Sequence, residues 1–171
     1  MLVLILTALT ASVAAEGEPK IAITEVKAFW CAVLDSQGSY QNMEKNITTF
    51  MGEFSSQGLQ PVGPLMSIYF NSPADTPEAD LKWATAFPIA MDVDVKAPLR
   101  KVEFKDQKAA VYLYVGPYDQ LPQTYTAIYT YIAQNSFKIL GPVFERYLNS
   151  PTEVQPDKLE TEIYVPVEAG K

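Results

Sequence analysis

No histidine occurs among the 171 residues. That absence removes Ser-His-Asp hydrolysis, Cys-His proteolysis and histidine-ligated metal centres together. Any acid–base chemistry falls to carboxylates or phenols. There is one cysteine, Cys31, so no intramolecular disulfide forms; it stands between Trp30 and Ala32 in an apolar run and reads as a buried structural thiol. Basic residues are scarce too, with 13 Lys+Arg against 20 Asp+Glu and a net charge of -7. Such a surface repels phosphate backbones, so nucleic acid is not an expected partner. No Lys or Arg precedes Lys20, so the basic stretch that usually opens an export signal is missing.

The rest of an export signal is present. Met1 to Ala15 is an uncharged apolar run that ends in small residues, with Val13 and Ala15 at the two positions a signal peptidase reads. Cleavage after Ala15 and a periplasmic or secreted location are expected. The run is shorter than the roughly 20 residues that span a bilayer, so membrane insertion is expected only where the segment stays uncleaved. At 171 residues and 48% hydrophobic, the chain is long and apolar enough for one domain with a sizeable core, placed at 16–171. Asn46-Ile47-Thr48 matches a glycosylation sequon, which has meaning only in a eukaryotic secretory pathway.

An internal repeat organises the chain. Gly-Pro-Leu-Met-Ser-Ile-Tyr-Phe-Asn-Ser-Pro starts at Gly63 and Gly-Pro-Val-Phe-Glu-Arg-Tyr-Leu-Asn-Ser-Pro at Gly141, an offset of 78 residues. The same ungapped register pairs Gly38 with Gly116, Tyr40 with Tyr118, Leu81 with Leu159 and Pro88 with Pro166. Each copy reads as strand, helix, strand, strand. Phe29 to Leu34 and Ala109 to Val115 are β-branched and aromatic, and Gly38 and Gly116 mark the turns into helices. Met43, Ile47, Phe50, Met51 and Phe54 trace an amphipathic helical stripe, repeated by Leu121, Tyr125, Ile128, Tyr129 and Ile132. Each copy closes with a strand ending at a proline, near 82–89 and 160–167. Val93, Val95, Val102 and Phe104, between the copies, suggest extra strand. The expected fold is α+β: two tandem βαββ units, at about 22–90 and 100–168, forming an antiparallel sheet with two helices and a ligand cleft at the seam.

Where aligned copies differ, function has had the chance to break the symmetry. The telling position is Ser67 against Glu145. Strand alternation puts Glu145 and Tyr147 on one face, and Ser67 and Tyr69 on the matching face of the first copy. A carboxylate desolvated among aromatic rings has a raised pKa and remains costly to ionise until a cation pairs with it. The alternative is a solvated Glu145 paired with a lysine or arginine. Tyr112 and Tyr114 share a face, as do Trp83 and Phe87; each is a weaker ligand candidate for which core packing is the competing role. Glu160 and Glu162 form a further carboxylate pair, which reads as solvated edge.

Gly116-Pro117-Tyr118, the run from Gly141 to Pro151, and the closing Thr161-Glu162-Ile163-Tyr164-Val165-Pro166-Val167 resemble the gyrase-inhibitor-like small-molecule-binding family. That family also supplies effector-binding domains of multidrug-responsive transcription regulators. The resemblance implies a pocket in which Glu145 meets a lipophilic, cationic ligand; Tyr147, Tyr69, Ser67, Tyr112, Tyr114 and Trp83 remain further candidates from their strand faces, no cofactor is expected, and binding without catalysis is the leading reading. No DNA-binding helices precede the domain here, so transcription control is not expected. Two alternatives stay open by resemblance to relatives of the fold: hydrolysis of strained-ring, cyclopropane-type natural products, and haem or tetrapyrrole binding as in SOUL-like proteins.

Overall fold

The computed structural model describes residues 20–170; the expected signal segment, 1–15, lies outside them. The first copy runs β1 (Ala22–Val26), β2 (Phe29–Gln37), α1 (Met43–Ser56), β3 (Leu65–Tyr69) and β4 (Lys82–Ile89). The second runs β5 (Arg100–Phe104), β6 (Gln107–Val115), α2 (Leu121–Gln134), a short β7 (Phe137–Ile139), β8 (Val143–Tyr147) and β9 (Glu160–Ala169). The 78-residue offset carries β1 onto β5, β2 onto β6, α1 onto α2, β3 onto β8 and the start of β4 onto that of β9. The repeat thus reaches one strand further towards the N-terminus than the βαββ pattern.

Nine strands make one antiparallel sheet in the order β1-β6-β9-β8-β3-β4-β2-β5, with β7 beside β9. The copies exchange their first strands, since β1 pairs with β6 and β5 with β2. Only Lys27 and Ala28 join β1, at one end of this order, to β2 near the other, so the sheet must curl into a half-barrel. The Ala28 amide donates to Asp106 Oδ1 at 2.6 Å, tying the two short connections together.

The inside of the curl is apolar: Cys31, Val33, Met66, Ile68, Ala84, Ala86, Ala109 and Phe144 are buried there. Phe144 stacks on Tyr164 with ring centroids 4.7 Å apart and meets Phe29 and Phe104 edge-on. Cys31 is buried, as its apolar context predicted, and burial pushes its thiol up to about 12. Both helices lie on the opposite face. Phe50 and Phe54 of α1 pack with Ala32 and Ile89, and Leu121, Ile128 and Ile132 of α2 with Ala110, Ile163 and Val165. Met51 and Tyr129, counted in the apolar stripes, lie instead at their margins, exposed at 45% and 38%.

Turn chemistry follows the sequence. Gly38 (φ 94°) and Gly116 (φ 150°) adopt backbone that L side chains resist, and a Cβ at Gly116 would lie 2.5 Å from Tyr114 Oη. Pro88 and Pro166 sit past the last β3–β4 and β8–β9 pairs, Met66 with Ala86 and Phe144 with Tyr164, where a missing N–H breaks no ladder. β9 is nevertheless central, flanked by β6 and β8, which overturns the edge reading of its carboxylates: Glu162 accepts from Tyr164 Oη at 2.9 Å and lies 3.6 Å from Arg146. Phe144→Ala should cost about 3–5 kcal/mol, because a fully buried ring leaves a cavity its neighbours fill only partly. Urea denaturation would show it as a lowered midpoint.

Candidate functional site

β3 and β8 meet at the seam and pair so that Ser67 lies directly opposite Glu145. These are the same position in the two copies, so the local twofold axis passes between them. This supplies a physical reason for the broken symmetry. A glutamate in both copies would set two carboxylates face to face in the sheet, and like charges directly opposite are destabilising. One glutamate and one serine avoid that clash.

Glu145 is only 4% exposed. Tyr69 Oη and Tyr147 Oη donate to its Oε2 at 2.8 and 2.7 Å, and Tyr125 Oη donates to its Oε1 at 2.7 Å. Tyr69 and Tyr147 are the same position in the two copies, so they reach the carboxylate from both sides of the axis, while Tyr125 comes down from α2. Tyr147 Oη also lies 3.0 Å from Ser67 Oγ. Among the described residues no lysine or arginine pairs with Glu145; Arg146, its neighbour, points to the other face and joins Glu162 and Tyr164. Burial raises the Glu145 carboxyl above its ordinary 4.5, against the opposing pull of the three phenol hydrogen bonds. Burial, with the carboxylate's charge behind it, holds the Tyr69, Tyr125 and Tyr147 phenols well above 10, so all three remain donors.

A second layer of rings covers the first. Tyr40 stands edge-on to Tyr69 at 5.4 Å, and its counterpart Tyr118 stands edge-on to Tyr147 at 5.5 Å. Tyr129 lies 5.8 Å from Tyr125. Six of the chain's ten tyrosines thus gather about one carboxylate. Aromatic faces around a desolvated anion suit a cation with an apolar body. The seam is packed shut by these rings: two surface depressions of about 290 and 410 Å³ lie to the side, the first bounded by Tyr40 and the second by Trp83, and neither takes in Glu145.

The sequence candidates divide accordingly. Glu145, Tyr147, Tyr69 and Ser67 form one hydrogen-bonded group. Trp83 is buried behind Tyr40, at 6.0 Å, and its indole N–H donates to the Gly38 carbonyl at 3.1 Å. Tyr112 and Tyr114 are half-buried against the core beneath α2, two strands away from Glu145, and Tyr114 Oη donates to the Pro117 carbonyl at 3.0 Å. Tyr125, Tyr129, Tyr40 and Tyr118 escaped the sequence reading as site residues. A signal for two of them was there: the helical stripe has Ile47 and Met51 in the first copy where the second has Tyr125 and Tyr129. Asn46 of the sequon is engaged inward, its Nδ2 donating to Ser36 Oγ and its Oδ1 accepting from Thr85 at 2.5 Å. No group of three or more His, Cys, Asp or Glu among the described residues is placed to hold a metal, and no helix there is long and apolar enough to cross a membrane.

Comparison with known proteins agrees with this architecture. Residues 19–168 match the model of the GyrI-like small molecule binding domain. No curated protein matches the sequence. Among solved structures, the EcmrR C-terminal domain superposes with a TM-score of 0.78 at 17% identity, over 88% of this chain and 98% of that one. A hydrolase encoded by lin2189 from Listeria innocua gives 0.62 at 15% identity, over 88% and 93%. SAV2435 bound to tetraphenylphosphonium gives 0.58 at 14% identity, over 87% and 94%. At these identities the structures speak for the fold, while the family match runs through both repeats: this chain belongs to the GyrI-like small-molecule-binding family.

Proposed function

We propose that this protein binds a small, lipophilic, cationic molecule at the seam between its repeats, outside the cytoplasm, and releases it unchanged. The observation that carries the reading is the state of Glu145: buried, bonded to phenols alone and without a cationic partner among the described residues. A carboxylate held in this way is costly to ionise, and an apolar cation relieves that cost by supplying the missing charge without bringing water. Each ring facing the ligand adds about 0.5–2 kcal/mol of cation–π attraction, depending on desolvation. Entry requires the covering rings to part, and Tyr40 and Tyr118 stand at the margins from which they can swing outward. The bound tetraphenylphosphonium of SAV2435 is a ligand of this chemical class on the same fold. The extracytoplasmic setting rests on the apolar leader from Met1 to Ala15.

A second reading is hydrolysis. A carboxyl that keeps its proton above the ordinary range is a candidate general acid, and the Listeria innocua relative is described as a hydrolase. Recovery of the ligand intact after prolonged incubation, followed by mass spectrometry, supports binding; a hydrolysed product would replace it with turnover.

Tetraphenylphosphonium should raise the melting temperature of the protein, corresponding to about 2.7 kcal/mol at a ligand concentration a hundredfold above Kd. Glu145→Gln keeps the side chain's shape and removes its charge, so the shift should vanish; an undiminished shift takes Glu145 out of the site. Binding should also depend on pH. Where Glu145 is protonated, a bound cation must first displace that proton. Affinity therefore falls by up to about tenfold per pH unit below the raised pKa, and levels off above it. Titration calorimetry across this range should show the slope in the parent and a flat line in Glu145→Gln. The free protein should move the opposite way. Its folded state holds the Glu145 proton more tightly than the unfolded chain, so its stability declines as pH rises from about 4.5 through the raised pKa.

A further inference from the structure

Thr161 is fully buried, and its hydroxyl is the one buried side-chain polar atom among the described residues without a hydrogen-bond partner. It lies on β9 directly opposite Tyr147, on the sheet face that carries Glu145. Burying an unsatisfied hydroxyl is unfavourable, so threonine here stands against the stability of the empty protein. The first copy solves the same position differently. There the residue is Trp83, whose ring fills the space behind Tyr40 and whose N–H is satisfied by Gly38. The second copy has a small side chain with an idle hydroxyl in its place, on the side where Glu145, Tyr125 and Tyr129 also depart from the first copy.

We propose that Thr161 is a specificity residue of the seam site, donating its hydroxyl to an acceptor on the ligand, so that the ligand class is a lipophilic aromatic cation carrying a carbonyl or ether oxygen. This rests on the reading of the seam as a cation site. Thr161 is the diagonal neighbour of Glu145 across the β8–β9 pair, which opposes Glu145 to Ile163 and Tyr147 to Thr161. Diagonal neighbours are about 7–8 Å apart, close to the span from a charged centre to a substituent on an attached aryl ring. A ligand with that spacing meets the carboxylate and the hydroxyl together. The Tyr118 ring, 37% exposed and edge-on to Tyr147, is the group that yields on this side.

The test uses two kinds of probe, tetraphenylphosphonium and its 3- and 4-acetylphenyl derivatives, each measured by calorimetry on the parent, Thr161→Val and Glu145→Gln. The parent should prefer one acetyl isomer. In Thr161→Val the ratio of affinities should move about three- to tenfold towards tetraphenylphosphonium, the worth of one neutral hydrogen bond. Free Thr161→Val should melt at a higher temperature than the parent, because the orphaned hydroxyl is gone and the volume is kept. An unchanged ratio with both isomers overturns the proposal, and so does a lower melting temperature, which would mean that a buried water already satisfies Thr161. Glu145→Gln separates the two ideas: if it weakens no probe, the cation site itself fails, whereas weakened binding beside an unchanged Thr161→Val ratio sinks the role of Thr161 alone.

Discussion

A carboxylate held out of water on the axis of a duplicated sheet sets the terms for the rest of this molecule. Among the described residues Glu145 has no cation beside it and three phenols around it, so each tyrosine has to be delivered to hydrogen-bonding distance by a separate element. β3 brings Tyr69, β8 brings Tyr147 and α2 brings Tyr125. The opposition of β3 and β8 in register is what makes this possible, because it sets equivalent residues facing one another at the axis. A slip of β8 by one residue would turn Glu145 into the apolar interior of the curl, beside Met66 and Ile68, and expel Phe144 from it.

That arrangement spends stability on readiness. Buried phenols and a buried carboxyl satisfy one another, so the closed seam is tolerable, yet burial still raises the carboxyl's pKa. On the proposed reading, the rings that close the seam are also the rings that would meet the ligand. Closure and recognition therefore draw on the same side chains. The cost is carried elsewhere, by the apolar interior of the half-barrel and by two helices whose buried stripes clamp the outer face.

Duplication makes the division of labour visible. Most of the chain obeys the 78-residue repeat closely, down to the turns at Gly38 and Gly116 and the prolines Pro88 and Pro166 set just past the β3–β4 and β8–β9 pairs. Departures gather in the second copy, at Glu145, Tyr125, Tyr129 and Thr161, all on the helix-bearing face. The second copy's half of the seam is polar and carries the carboxyl, while the first copy's half is closed by Trp83.

The sequence by itself determined the repeat, the α+β class, both helices and most strand positions, though not β1 or β7, because hydrophobic periodicity and turn residues are local and were written twice. It also marked Ser67 against Glu145 as the place where the copies part. It missed that β1 and β5 exchange between the copies, since strand partnership depends on how the sheet curls and not on the pattern within a strand. Tyr125 read as part of a helical core stripe, and only the packing of α2 over the seam turned its hydroxyl onto Glu145. Trp83, Tyr112 and Tyr114 shared the right sheet face, and alternation can say no more than that; distance across the strands placed Trp83 behind Tyr40 and the other two beneath α2. Residue type and spacing decide what a segment can be, while which side chains meet around a buried charge is decided by long-range pairing, which the tertiary structure alone fixes.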